Sequence, residues 1–211
     1  MKLTKYEHAC LFVESEDGTK VVIDPGNFTN LPDDLSNIVA VVATEEHADH
    51  FGLENIKKIV AANPDVKIFS TPHVADTLKD AGISYEAVDT DLGIKVDEFE
   101  LMFYPTPHAP IYKTSPTLSL PVRINDFVFY SSDTFRSIPD HVEVVALPAS
   151  GPWFKVAEAI DQVNATDSEK VVLTHNSLNT PEANDMVARL VKNHLDNPSR
   201  DVIILEPGES L

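Results

Sequence analysis

Thr44-Glu45-Glu46-His47-Ala48-Asp49-His50 decides the reading of this chain, because it packs two imidazoles and three carboxylates into seven residues. The apolar run Ile38-Val39-Ala40-Val41-Val42-Ala43 precedes it and reads as a buried strand. Gly52-Leu53-Glu54-Asn55-Ile56-Lys57-Lys58-Ile59-Val60 follows and reads as a helix. In α/β folds, chemistry gathers where a buried strand ends and opens onto a helix. His47, Asp49 and His50 offer neutral imidazole and carboxylate, the donors that divalent transition metals take. The residues alone allow two readings, a metal site or a solvated loop with two incidental histidines.

Working outward, the pattern is strand-rich on both sides. Residues 1–24 read as a β-meander, with Asp17-Gly18 as the hairpin turn. Residues 27–37 are rich in Asn, Pro and Asp and read as a surface loop. Helices are predicted over 52–62 and 72–81, with short strands over 66–70 and 83–88. From Leu92 the period changes to antiparallel strands over 94–98, 101–104, 117–124 and 127–131. Strand and helix then alternate again: strands over 142–147, 170–174 and 202–205, helices over 154–165 and 181–195. Thr180 is the expected cap before Pro181. A meander followed by β/α units, twice over, fits two packed sheets with helices on both outer faces. The expectation is an α/β (α+β) fold, a four-layer αβ/βα sandwich, as a single domain over 1–211.

Composition narrows the function classes. The chain has 211 residues, 43% of them hydrophobic, enough for a sizeable core. Its formal net charge of −18 opposes non-specific binding to nucleic acid and to anionic membranes. It does not oppose an anionic substrate at a bound cation. The lone Cys10 excludes an internal disulfide and a cysteine-rich zinc site. No run reaches the roughly 18 apolar residues that span a bilayer, and the N-terminus carries no signal-peptide pattern. A cytoplasmic location is the default expectation, and the oligomeric state, including a homo-oligomer, stays open.

Five features in order carry a resemblance to the metallo-β-lactamase superfamily. His47, Asp49 and His50 match the last three positions of its His-x-His-x-Asp-His signature, with Glu45 where the first His usually stands. Asp24 ends the early strand Lys20-Val21-Val22-Ile23, and His108, Asp133 and His175 each follow a later strand. The set is similar to the small metal-dependent hydrolase branch that includes ascorbate-6-phosphate lactonase. The resemblance implies two divalent ions (Zn, Mn or Fe). Glu45, His47 and His108 would hold one, Asp49, His50 and His175 the other, and Asp133 would bridge them. It also implies a hydroxide shared by the metals as nucleophile, with Asp49 as the catalytic residue that orients it and carries a proton. Glu45 adds negative charge to the first site and shifts it toward harder ions such as manganese or ferrous iron. It could ligate, swing away, or yield to Glu46.

The implied activity is hydrolysis of a small ester, lactone or phosphate-bearing metabolite. The alternative is a non-catalytic or mononuclear member serving as a binding module. A nuclease is disfavoured by the charge, and a redox di-iron enzyme by the intact His47. Among the remaining residues, Asp24 is expected to orient a ligand histidine. His8 is either a strand-end cap or outer partner of a ligand, or a residue at the mouth of the site. Trp153 is expected in the core, with a substrate-pocket wall or a staple at a helix start as the alternatives, and the histidines at 73, 141 and 194 have no assigned role. Ser150 and Gly151, Arg136, and Tyr112 with Lys113 in the 109–114 loop are candidate substrate contacts.

Overall fold

The computed structural model describes residues 1–113, 117–138 and 140–211. Thr114, the last residue of the candidate loop after His108, lies outside them. The first sheet contains β1 (Lys2–Lys5), β2 (Leu11–Glu14), β3 (Lys20–Ile23), β4 (Ile38–Ala43), β5 (Lys67–Ser70) and β6 (Glu86–Ala87), in that spatial order. It is antiparallel through β3 and parallel from β3 onward. Helices α1 (Leu53–Ala62) and α2 (Ala75–Asp80) make the parallel crossovers.

The second half repeats the plan. It contains β7 (Leu92–Val96), β8 (Phe99–Phe103), β9 (Thr106–Pro107), β10 (Leu118–Ser119), β11 (Val122–Ile124), β12 (Val128–Tyr130), β13 (Val142–Pro148), β14 (Ser168–Thr174) and β15 (Asp201–Ile203). Helix α3 (Val156–Ala165) joins β13 to β14, and α4 (Pro181–Asn193) joins β14 to β15. The sheet order is β15-β14-β13-β12-β11-β8-β7, and β9 and β10 form a separate two-stranded ribbon.

Side-chain alternation builds the layers. Along β4, Ala40 and Val42 face the space between the sheets, while Val41 and Ala43 face α1 beside Ile56 and Ile59. Along β13, Val144 and Ala146 face inward, while Val145 and Leu147 lie under α3 beside Ala159 and Val163. A strand covered on both faces must be apolar at every position, which is why these runs lack the polar alternation of a half-exposed strand. The result is three apolar layers between four layers of structure, the expected αβ/βα sandwich. No helix among the described residues is long and apolar enough to cross a membrane.

Local differences from the sequence reading have backbone causes. The expected strand over 117–124 is two pieces, because Pro121 has no N–H for a ladder and its carbonyl instead accepts from Tyr104 N. The helix expected over 72–81 begins as a 3-10 turn at Pro72–Val74. Thr180 does cap α4, its hydroxyl accepting from Ala183 N at 3.3 Å.

Candidate metal centre

The residues implied as ligands lie beyond the C-terminal ends of strands. Thr44 to His50 follow β4, His108 follows β9, Asp133 follows β12 and His175 follows β14. His8, Asp24, Ser132 and His175 all have positive φ, between 46° and 58°. Such conformations cost energy for residues with a Cβ and concentrate where a site over-determines them. Gly26 has the opposite role: a Cβ there would lie 1.8 Å from Asp49 O. Only glycine lets the β3 turn press against the backbone that carries Asp49 and His50.

The donor atoms converge. Glu45 Oε2 is 2.7 Å from His47 Nδ1 and 3.6 Å from His108 Nε2. Asp133 Oδ1 is 3.2 Å from His50 Nε2, and its Oδ2 is 3.4 Å from His175 Nε2 and 3.5 Å from His108 Nε2. Asp49 Oδ2 lies 3.3 Å from His175 Nε2 and 3.1 Å from His8 Nε2. Three clusters result: Glu45, His47 and His108; His50, Asp133 and His175; and His8, Asp49 and His175. Asp133 thus reaches toward both sides. Asp49 meets His175 as expected, but shares it with His8 and stands 3.8 Å from His50 Nε2. Glu45 is fully buried and faces the centre, whereas Glu46 turns away to His73 Nδ1 at 3.6 Å.

These contacts fit a cation better than a hydrogen-bond network. Glu45 Oε2, His50 Nε2, Asp133 Oδ1 and His175 Nε2 are buried, and none has a hydrogen-bond partner despite the short separations. Buried polar atoms are nearly always satisfied, so four such atoms gathered in two adjoining clusters suit bound cations as their partners. Two donors each about 2.1 Å from one ion lie about 3.4 Å apart in tetrahedral geometry, close to most of these separations.

Outer partners fix the imidazoles. His50 Nδ1 donates to Asp24 Oδ2 at 2.7 Å, His175 Nδ1 to Ser150 O at 2.9 Å, and His108 Nδ1 to Ala109 O at 2.5 Å. Each bond leaves Nε2 as the inward lone pair. Asp24 also accepts from Thr44 N at 2.7 Å and Thr44 Oγ1 at 2.8 Å. Thr44 Oγ1 in turn meets Ser132 Oγ at 2.7 Å, across the two sheets. Trp153 Nε1 donates to Asp133 Oδ2 at 3.0 Å. So Trp153, expected in the core with a pocket wall as the alternative, is buried and also holds the central carboxylate. His8 is fully buried and bonds Asp49, so it stands as an outer partner of that carboxylate rather than at an open mouth. Thr44 and Ser132 were not singled out from sequence; hydroxyls flanking a ligand at a strand end were the available signal.

Charge coupling is strong. Burial disfavours a charged His50, but Asp133, Asp24 and Glu45 outweigh it and raise its pKa well above the ordinary value. Burial likewise opposes His175, yet Asp133 and Asp49 hold it up to about 9. Burial would raise Asp133 and Asp49, but the imidazoles around each hold both below the usual carboxylate range. Burial dominates at Glu45 and at His8, raising the first and lowering the second. A cation arriving here therefore competes with protons, as at most imidazole–carboxylate sites.

Beside the centre, a cleft of about 680 Å³ is lined in part by His108, Phe135 and Arg136. A larger groove of about 900 Å³ lies elsewhere, where β4 and β5 begin, and none of the converging donors lines it. Lys113 stacks over the Tyr112 ring at 5.6 Å, in an exposed part of the loop after His108.

Known proteins share this architecture. Residues 2–116 match the family described as Beta-lactamase superfamily domain. The chain is 25% identical over 189 residues to Protein Rv0786c of Mycobacterium tuberculosis (strain ATCC 25618 / H37Rv), covering 87% of each. It superposes on Igni18, a metallo hydrolase from the archaeon Ignicoccus hospitalis, with TM-score 0.73 and 20% identity, covering 100% of this chain and 97% of that one. The metallo-beta-lactamase fold protein YhfI from Bacillus subtilis gives TM-score 0.75 at 16% identity, covering 100% and 98%. At these identities the two structures establish the shared fold.

Proposed function

This chain belongs to the beta-lactamase superfamily, and on that premise we propose that it is a metal-dependent hydrolase of a small ester, lactone or phosphate-bearing metabolite. The observation that carries the reading is the set of buried, partnerless lone pairs on Glu45, His50, Asp133 and His175. Glu45, His47 and His108 would hold one divalent ion. His50, His175 and Asp49 would hold a second, with Asp133 between the two. Ions so held supply Lewis acidity, lowering the pKa of water and polarising a carbonyl or phosphoryl group.

The chain's own residues set the stage for that chemistry. Asp49 commits Oδ2 to His8 and His175. Its other oxygen is left to orient water and accept a proton. Because neighbouring imidazoles outweigh burial and hold Asp49 below the carboxylate range, it is a modest base and acts mainly by positioning. Trp153 locks the rotamer of Asp133 and, with Phe135 packed 5.4 Å from it, walls the centre against bulk water. His47, with 41% of its side chain exposed, marks the side open to substrate.

The test is a screen of 4-nitrophenyl esters, lactones and phosphodiesters with added manganese or zinc. Turnover should require the metal. Asp133→Ala should reduce it by more than the roughly 10–100-fold typical of losing an outer partner. Turnover indifferent to Asp133→Ala would sink the mechanism. Metal uptake with no turnover of any substrate would favour the binding-module reading.

A further inference from the structure

Arg136 stands in the cleft that shares His108 with the metal centre. Its place is well fixed. Its guanidinium lies over the Tyr104 ring, Cζ 5.2 Å from the centroid, and Nη1 donates to Thr106 Oγ1 at 3.3 Å. Its carbonyl accepts from Gln162 Nε2 at 2.9 Å, and its N–H donates to Thr134 Oγ1 at 3.2 Å. A guanidinium has five N–H donors, and among the described residues this one spends a single long bond.

Among the described residues Arg136 forms no ion pair, in a chain with 34 acidic residues against 16 basic ones. Glu158 is the one acidic residue among the described lining of the cleft, and Lys155 takes it up at 2.8 Å. The free charge in the cleft is therefore positive, although the surface as a whole is strongly negative. Thr106 and His108 are two residues apart in extended chain, about 7 Å. The fork of Arg136, bonded to Thr106, thus lies two residues along the chain from the ligand His108, in the same cleft.

We infer that Arg136 is a specificity-determining residue that anchors an anionic group, phosphate or carboxylate, on the molecule whose reacting bond lies at the metal centre. Calling that molecule a substrate rests on the hydrolase reading; the anion site itself does not. A planar fork pre-oriented on an aromatic ring suits bidentate contact with such a group.

Calorimetric titration of the metal-loaded protein tests it, using glycerol 3-phosphate, glycerate and glycerol as probes. At least one anion should bind and glycerol should not, and the stronger of the two anions identifies the group. Arg136→Ala should weaken that binding about ten- to hundredfold. Arg136→Lys should fall between, because it keeps charge and loses the fork. Arg136→Gln keeps a stem over Tyr104 and covers any loss of packing in the alanine variant. Metal content and melting temperature should match the parent in the variants read. Equal anion affinity in Arg136→Gln and parent, or no anion binding at millimolar probe, overturns the inference. Arg136-dependent binding by a protein that hydrolyses no ester would sink the hydrolase reading and leave the anion site standing. Turnover of neutral 4-nitrophenyl acetate with Arg136-independent binding would do the reverse.

Discussion

The two sides of the metal centre are held with unequal firmness. Around His50, Asp133 and His175 the protein supplies nearly everything. Asp24 and Ser150 pin the two rings, Trp153 pins the carboxylate, and all three residues are buried. Around Glu45, His47 and His108 the outer partners among the described residues are fewer: His108 Nδ1 donates to the carbonyl of Ala109 at 2.5 Å, and Glu45 Oε1 accepts one long bond from Ser132 Oγ at 3.4 Å. His47 is partly exposed, and its Nδ1 faces Glu45 rather than a fixed acceptor. Preorganised ligands cost less to gather around an ion. The pinned side should fill first and hold tighter, while the other is completed by the ion itself.

The most direct way to break this comparison is Glu45→Ala, measured as metal per chain. Near two ions in the parent should fall to near one, with the pinned side keeping its ion. A chain that keeps both would show that Glu45 is no ligand. Glu45→His should retain two, since it restores the family's usual donor at that position.

Proton competition gives the next effect. His175 is raised from 6.5 to about 9. A raised imidazole stabilises the fold fully below its unfolded pKa and loses that contribution as pH climbs through the folded one. Chelator-treated protein should therefore lose stability between about pH 6.5 and 9. Taking His175 alone, the loss is about 3 kcal/mol, read from urea midpoints. Metal affinity of the pinned side should rise across the same window. A flat urea midpoint would mean that His175 holds no proton there.

Asp24→Asn should have the smallest effect, weakening the pinned side about tenfold, the low end for an outer partner. The asparagine keeps one acceptor oxygen for either Thr44 N or the His50 side, and its amide nitrogen, a donor only, faces the other. If both sides weakened equally, the asymmetry would not come from pinning.

Much of this was legible before the structure. Apolar runs covered on both faces announced β4, β13 and β14, and a histidine or aspartate just past such a run has few reasons to be there. That logic singled out the stretch after β4, with His47, Asp49 and His50; the family resemblance supplied His108, Asp133 and His175, and the structure brings the donor atoms of these residues together. The resemblance also pointed to Asp24, which meets His50. Local reading failed where two distant segments must meet. Nothing local in Ala149-Ser150-Gly151-Pro152-Trp153 says that the indole N–H will find Asp133. Nothing in Thr44 or Ser132 says that their hydroxyls will touch across two sheets. Glu45 and Glu46 could not be ranked by sequence, because one peptide step decides which carboxylate turns inward. The break at Pro121 was readable in principle from the missing donor.

The contact between Thr44 and Ser132 has a wider consequence. Glu45, His47, Asp49 and His50 come from the chain's first half, and His108, Asp133 and His175 from its second. Neither half owns a complete coordination set, so strong ion uptake reports that the halves have docked. A chain with both halves folded but apart would bind an ion only as well as half a set allows. The step from weak to tight uptake during refolding would then time the closing of the seam, with the ion as its own reporter.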